Sequence, residues 1–226
     1  MNGTELARFR EPAPQKKNTA LTIVLIVLAV LIAAFGVVSW FALNDPLAGK
    51  GYENVMPSDG LPKTFVEAAV KQSECSFSKD DVNGYLAYLF QKHNAGAAKK
   101  DVKLLAAAIT GSSGNSVDLY LPVEYHSKRF GILLNVTPSL DKTEERLLFR
   151  VNAAHIGRLP VPVGWLLQKS ESRFPSGLLL EGNTVSCKCP TASVSVLMVT
   201  ASAKLSEFRM ENGILKTAAS LQVSVG

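Results

Sequence analysis

The sequence predicts an α+β protein: an N-terminal transmembrane helix, then short helices packed on a twisted, mostly antiparallel β-sheet. Three observations predict it. A run of 25 uncharged residues lies near the N-terminus. Two stretches of helical period follow it. After Gly96 the apolar period changes from 3.6 to 2 and holds to the C-terminal end. Helices first and strands afterwards is the α+β order, not the alternation of βαβ units.

The first element is Thr19–Leu43, TALTIVLIVLAVLIAAFGVVSWFAL. As a helix it reaches about 37 Å, enough to cross a hydrocarbon layer of about 30 Å with some tilt. The apolar stretch of a signal peptide is shorter, about 7–15 residues. A soluble helix would carry a polar face, and this one has none. Arg8, Arg10, Lys16 and Lys17 precede it, and Lys50 is the first positive charge after it. The positive-inside rule then keeps the N-terminus cytoplasmic and sends the rest outside. Trp40 and Phe41 stand near the outer end, where aromatic rings favour the interface. The chain divides into a cytoplasmic tail (1–18), the transmembrane helix (19–43), a linker (44–62) and an extracytoplasmic α+β domain (63–226). The linker is rich in Gly, Pro, Asn and Asp.

Of 24 Lys/Arg and 19 Asp/Glu, four and two lie in the tail, leaving 20 against 17 beyond it. That dispersed excess suits a place near an anionic membrane surface and argues against nucleic acid as a partner.

Two helices open the domain. Thr64–Gln72 is a short candidate. Lys79 to Lys92 is a stronger one, with Ser78 as N-cap and Asp80 and Asp81 opposing the positive helix end. Val82, Tyr85, Leu86, Leu89 and Phe90 form one apolar stripe, with Gly96 as the stop. Asn83 and Gly84 are poor helix formers inside it. The stripe is expected to lie across the sheet. Strand patterns follow: Val117, Leu119, Leu121, Val123, Tyr125; Ile132, Leu134, Val136; Leu147, Phe149, Val151; and Leu221, Val223, Val225 near the end. Asn212-Gly213 between two such runs is a hairpin signal. Six to eight antiparallel strands are expected.

Pro160 and Pro162 make the strand near residues 147–156 end or become an edge. Val163-Gly164-Trp165-Leu166-Leu167 is too short for a span and too apolar for a solvated loop. It reads either as a turn of helix with Trp165 plugging the core or as the lining of a lipid or partner groove.

The three cysteines, Cys75, Cys187 and Cys189, leave at least one thiol unpaired. Cys-Lys-Cys on a strand reads as two small core side chains, or as one partner of a bridge to Cys75. It lacks the spacing of a zinc site. No Gly-x-Ser-x-Gly elbow, His-Glu-x-x-His or glycine-rich phosphate loop occurs. His93, His126 and His155 are about 30 residues apart and nothing local joins them. Asp80 and Asp81 are explained by the helix dipole, Glu144 and Glu145 by a solvated turn. Lys128 and Arg129 follow His126 at a turn and suit either solvent or phosphate headgroups. The expectation is a protein that is not an enzyme, with no metal and no cofactor.

Asp81-Val82-Asn83 at a helix start and Ile156-Gly-Arg-Leu-Pro-Val-Pro162 resemble the YpmS-like family of uncharacterised, membrane-anchored bacterial proteins, chiefly Gram-positive. The likeness covers roughly residues 65–226 and implies an extracytoplasmic domain with no established activity. Ser78-Lys79-Asp80-Asp81-Val82-Asn83 is also similar to a helix start in lipoproteins of tubular, TULIP-like fold. That second likeness implies an apolar tunnel between helix and sheet.

The expected function is a membrane-anchored, non-catalytic module that holds a lipid or a lipid-linked envelope component in an apolar groove. Tyr85, Leu86, Leu89, Phe90, Leu119, Leu121, Trp165 and Leu166 would line it. The alternative is an accessory subunit for cell-envelope enzymes, with a protein partner and no small-molecule ligand.

Overall fold

A computed structural model describes residues 19–94, 102–174, 177–189, 191–196 and 199–225. The predicted tail and the Gly96 helix stop lie outside the described residues. The chain divides into two compact units, Met1–Val38 and Ser39–Gly226.

Helix α1 spans Thr19–Leu43, the bounds the uncharged run predicts. From Ile26 to Val38 every side chain is exposed. It is an apolar helix long enough to cross a membrane.

The second unit continues through a 3-10 turn at Tyr52–Asn54, α2 (Gly60–Val70), β1 (Cys75–Phe77), α3 (Lys79–Asn94), β2 (Val102–Leu104), β3 (Ala108–Ser113) and β4 (Ser116–Tyr125). Then come β5 (Lys128–Asp141), β6 (Arg146–Ile156), β7 (Leu159–Val161), α4 (Val163–Ser170), β8 (Leu178–Glu181), β9 (Thr184–Lys188), β10 (Thr191–Val196), β11 (Val199–Glu211) and β12 (Ile214–Val225). The class is α+β, as predicted, and every described strand pairing is antiparallel.

The strands are more numerous than the periodicity indicated, and they form two sheets. One runs β1-β12-β11-β10 and the other β2-β4-β5-β6-β9-β8, with β3 added on β4 and β7 on β6. Strands such as β1, β2 and β7 have three residues each, too few to show a period. β1 pairs with β12 from the far end of the chain, Cys75 opposite Thr217. Alternation says which residues share a face; it carries no information on which strand lies alongside.

Local chemistry accounts for the elements. Ser78 caps α3: its Oγ accepts the Asp81 N–H at 3.2 Å, and Asp81 Oδ2 accepts the Ser78 N–H at 2.9 Å and its hydroxyl at 2.6 Å. This is a reciprocal capping box with Asp in the usual Glu position. Asn212 and Gly213 both take left-handed φ, 49° and 82°, and close the β11–β12 hairpin. His126 and Ser127 do the same between β4 and β5, with φ of 46° and 62°. Pro160 sits in β7, which among the described residues pairs with β6 alone, so its missing N–H disrupts no ladder.

The core joins both sheets. Phe77, Met210 and Leu215 of the smaller sheet cluster with Val117, Leu134, Val136 and Val151 of the larger. Phe149 and Phe208 meet edge to face across them, centroids 6.2 Å apart. The helix cover differs from expectation. α2 packs on β12, β1 and β11, whereas α3 packs on β3, α2, β1 and β12. Val82 and Leu86 of the stripe reach the core, and Tyr85, Leu89 and Phe90 are half-buried. A stripe states that a helix has a partner face; with two sheets present it cannot state which one.

Candidate functional site

Two regions carry functional potential: the partly buried apolar side chains around the core cluster, and a cavity where α1 ends.

The apolar cluster gathers half of the residues that the sequence singled out. Leu86 from α3, Leu119 and Leu121 from β4 and Leu166 from α4 all pack against the core cluster while remaining partly exposed. Ile132, Phe149, Phe174 and Leu180 do likewise. The structure therefore brings four of the eight candidates to the rim of one apolar cluster. Tyr85, Leu89 and Phe90 are half-buried on α3. The Tyr85 ring stacks on Tyr88, centroids 6.2 Å apart, and burial raises its phenol pKa, with Tyr88 adding to the effect.

Trp165 is not the core plug. It is 51% exposed, and Leu167 fills that role at 5%. Pro162 is the N-cap of α4 and its carbonyl accepts the Leu166 N–H at 3.1 Å, so the helix phase begins at Val163. That phase turns Leu167 inward and Trp165 outward.

The cavity was not legible in the sequence. It encloses about 440 Å³ and is lined in part by Leu43, Leu47, Tyr52, Glu53, Arg129 and Phe130. Of the segment 44–62, read as a linker, residues 44–54 build one wall and residues 60–62 begin α2. Asp45 is the pivot. Its Oδ1 accepts the Leu47 N–H at 2.9 Å and its Oδ2 accepts the Tyr120 hydroxyl at 2.5 Å. Tyr120 is only 2% exposed, and Tyr52 packs on it at 5.9 Å. Burial and then the Asp45 carboxylate push the Tyr120 phenol well above its ordinary pKa. At the rim, Arg129 reaches Glu53 at 3.4 Å and Glu124 at 3.5 Å.

Two glycines make this close approach feasible. A Cβ on Gly131 would stand 2.4 Å from the Tyr120 ring and 2.5 Å from Asp45 Oδ2. Gly157 has φ +58°, and a Cβ there would stand 2.3 Å from the Ala42 carbonyl oxygen. The Gly157 N–H donates to the Gly131 carbonyl at 2.7 Å, and the Arg158 N–H donates to the Phe41 carbonyl at 2.9 Å. The last residues of α1 thus end against the turn between β6 and β7, with an orphan helix carbonyl satisfied by the turn. The signal that could have found it is Gly131 within a strand, since an isolated strand glycine marks close backbone approach.

The cysteines remain thiols. Cys75 is buried beside Thr217 Oγ1 at 2.9 Å, in the smaller sheet. Cys187 and Cys189 belong to the larger sheet and its end, so the structure does not join Cys75 to either. Burial raises the pKa of both Cys187 and Cys189. His126 lies against Tyr125 in the β4–β5 turn and His155 on β6, in separate places. The side chain of His93 lies outside the described residues. Among the described residues no three His, Cys, Asp or Glu side chains gather as a metal site.

No protein-family profile, curated protein or solved structure matches the chain.

Proposed function

We propose that residues 19–43 cross the cell membrane with the N-terminus cytoplasmic. Residues 44–226 then form an extracytoplasmic, non-catalytic module that holds a lipid or a lipid-linked envelope component on its apolar face. The observation that carries this reading is the rim of the core. Leu86, Leu119, Leu121 and Leu166 touch the buried cluster yet keep part of their surface open. Apolar area left open is worth about 25 cal/mol per Å² to whatever covers it, and an acyl chain is a suitable cover. The bare helix from Ile26 to Val38 supports the anchoring half, because that surface in water is unfavourable and in hydrocarbon is not. The resemblance of its short motifs to membrane-anchored bacterial proteins accords with the anchoring half.

An accessory role beside envelope enzymes is the second reading. The outward Trp165 and Leu179, each about half exposed, favour it as contact points for a protein.

Site-specific photocrosslinking tests the choice. A benzophenone side chain is placed at Leu121, Leu166 or Trp165, with Glu181 as a control, in the full chain expressed in membranes. Lipid adducts at Leu121 and Leu166, absent from position 181, are expected. Protein adducts at Trp165 with no lipid adduct at the other two positions would overturn the lipid reading in favour of the accessory one.

A further inference from the structure

We infer that the cavity between residues 43–54 and β4–β5 is a headgroup site for a phospholipid bearing a primary ammonium beside its phosphate. This inference rests on the anchored reading of residues 19–43, and is independent of the apolar face.

Position comes first. Leu43 closes the apolar helix and also lines the cavity. If the helix crosses the bilayer, the cavity opens within a turn of the hydrocarbon edge, in the headgroup layer. Trp40 and Phe41, both exposed, are the aromatic residues expected at that depth. A volume of about 440 Å³ suits a small polar group with its glycerol, and Leu43, Leu47 and Phe130 offer apolar wall for the beginning of the chains.

Charge selects the headgroup. Three ionised side chains line the cavity: Asp45, Glu53 and Arg129. Asp45 is committed to the fold, each oxygen already accepting a hydrogen bond. Glu53 and Arg129 are joined only by a long 3.4 Å contact, and Arg129 is mostly exposed. A guanidinium has more donors than its two long contacts use, and its fork fits a phosphate. A ligand with phosphate alone would bring a negative charge towards Glu53 and Asp45, which repel it. A phosphate followed two carbons later by an ammonium supplies both complements: Arg129 takes the phosphate and Glu53 the ammonium. A quaternary ammonium has no N–H for the Glu53 carboxylate to accept, so a primary amine is preferred.

The test uses the full chain in nanodiscs of phosphatidylcholine doped with either phosphatidylethanolamine or phosphatidylglycerol. Lipid retained after transfer to mild detergent is counted by native mass spectrometry. The expected result is retention of phosphatidylethanolamine about tenfold over either other lipid, the scale of one charge-assisted hydrogen bond. Glu53→Gln and Arg129→Ala, both at partly exposed positions, should each abolish the preference without unfolding the domain. Equal retention of the three lipids, or a preference that survives both substitutions, would overturn this inference alone. Failure of the chain to enter the disc would overturn the anchored reading, and this inference with it.

Discussion

The side-chain amide of Asn83 binds both backbone polar groups of Ile109. Its Nδ2 donates to the Ile109 carbonyl at 2.9 Å and its Oδ1 accepts the Ile109 N–H at 2.6 Å. Asn83 is buried, so these bonds are made away from water. The pair joins α3 to β3 as a neighbouring strand would, with one side chain standing in for the strand. It explains why a poor helix former occupies the second turn of α3: the position is chosen for its amide and not for its propensity.

Asn83→Leu should therefore destabilise the domain by about 2–4 kcal/mol, since both bonds are lost and the two backbone groups stay buried without partners. Asn83→Asp keeps an acceptor for the Ile109 N–H but loses the donor to its carbonyl, and is expected to be destabilising as well. Urea unfolding of the full chain in detergent measures the cost. Faster hydrogen exchange at the Ile109 amide locates it; unchanged exchange there would refute the account.

Gly157→Ala should release the end of α1 from the β6–β7 turn. The added methyl meets the Ala42 carbonyl oxygen and sits on a left-handed backbone. Overpacking of this kind costs about 1–3 kcal/mol, and the left-handed residue adds about 1–2. Limited proteolysis between residues 44 and 55 should accelerate in the variant, together with exchange at the Arg158 amide.

Tyr120 sets an alkaline limit. Its folded pKa lies above its unfolded value near 10, so the native state keeps the phenolic proton longer than the unfolded chain does. The contribution is complete below about pH 10 and is lost progressively as pH rises past that value. Tyr120→Phe should lower stability near neutrality by about 1–2 kcal/mol, through the lost bond to Asp45. It should also flatten the fall in melting temperature above about pH 10. A variant with the same alkaline fall as the native chain would show that Tyr120 is not its source.

Leu167 and Trp165 should separate in mutagenesis. Leu167→Ala opens a cavity in the core and should cost about 2–5 kcal/mol. Trp165→Ala, although it removes the larger side chain, should change stability by less than about 1 kcal/mol because its ring stands half in water. Thermal melting of the two variants side by side checks the order, and the reverse order would contradict the phase of α4.

Some of this was legible residue by residue. The uncharged run predicts α1 to its last residue, because absence of charge over that length needs no tertiary knowledge. Ser78 and Asp81 predict the start of α3, and Asn212-Gly213 predicts a hairpin, because capping and turn chemistry act over four residues or fewer. Leu119, Leu121 and Leu166 reach the apolar cluster because alternation and helical phase decide which way a side chain points. Trp165 was the misleading signal: its size suggested a plug, but the N-cap at Pro162 set a helical phase that favoured Leu167.

The cavity was illegible for a related reason. Asp45, Tyr120, Gly131 and Gly157 are far apart in sequence, and none belongs to a motif. Only the folding of 44–54 back onto β4 and β5 gives them a common purpose.

By itself, then, the order of residues determined the class, the apolar helix, the caps and the faces of strands, all of which depend on neighbours within a few positions. The tertiary structure alone decided the division into two sheets, the pairing of Cys75 with Thr217, the grip of Asn83 on Ile109 and the seat of Asp45 on Tyr120. Those contacts depend on which distant surfaces meet, and that choice is made by packing the whole core at once rather than by any local pattern.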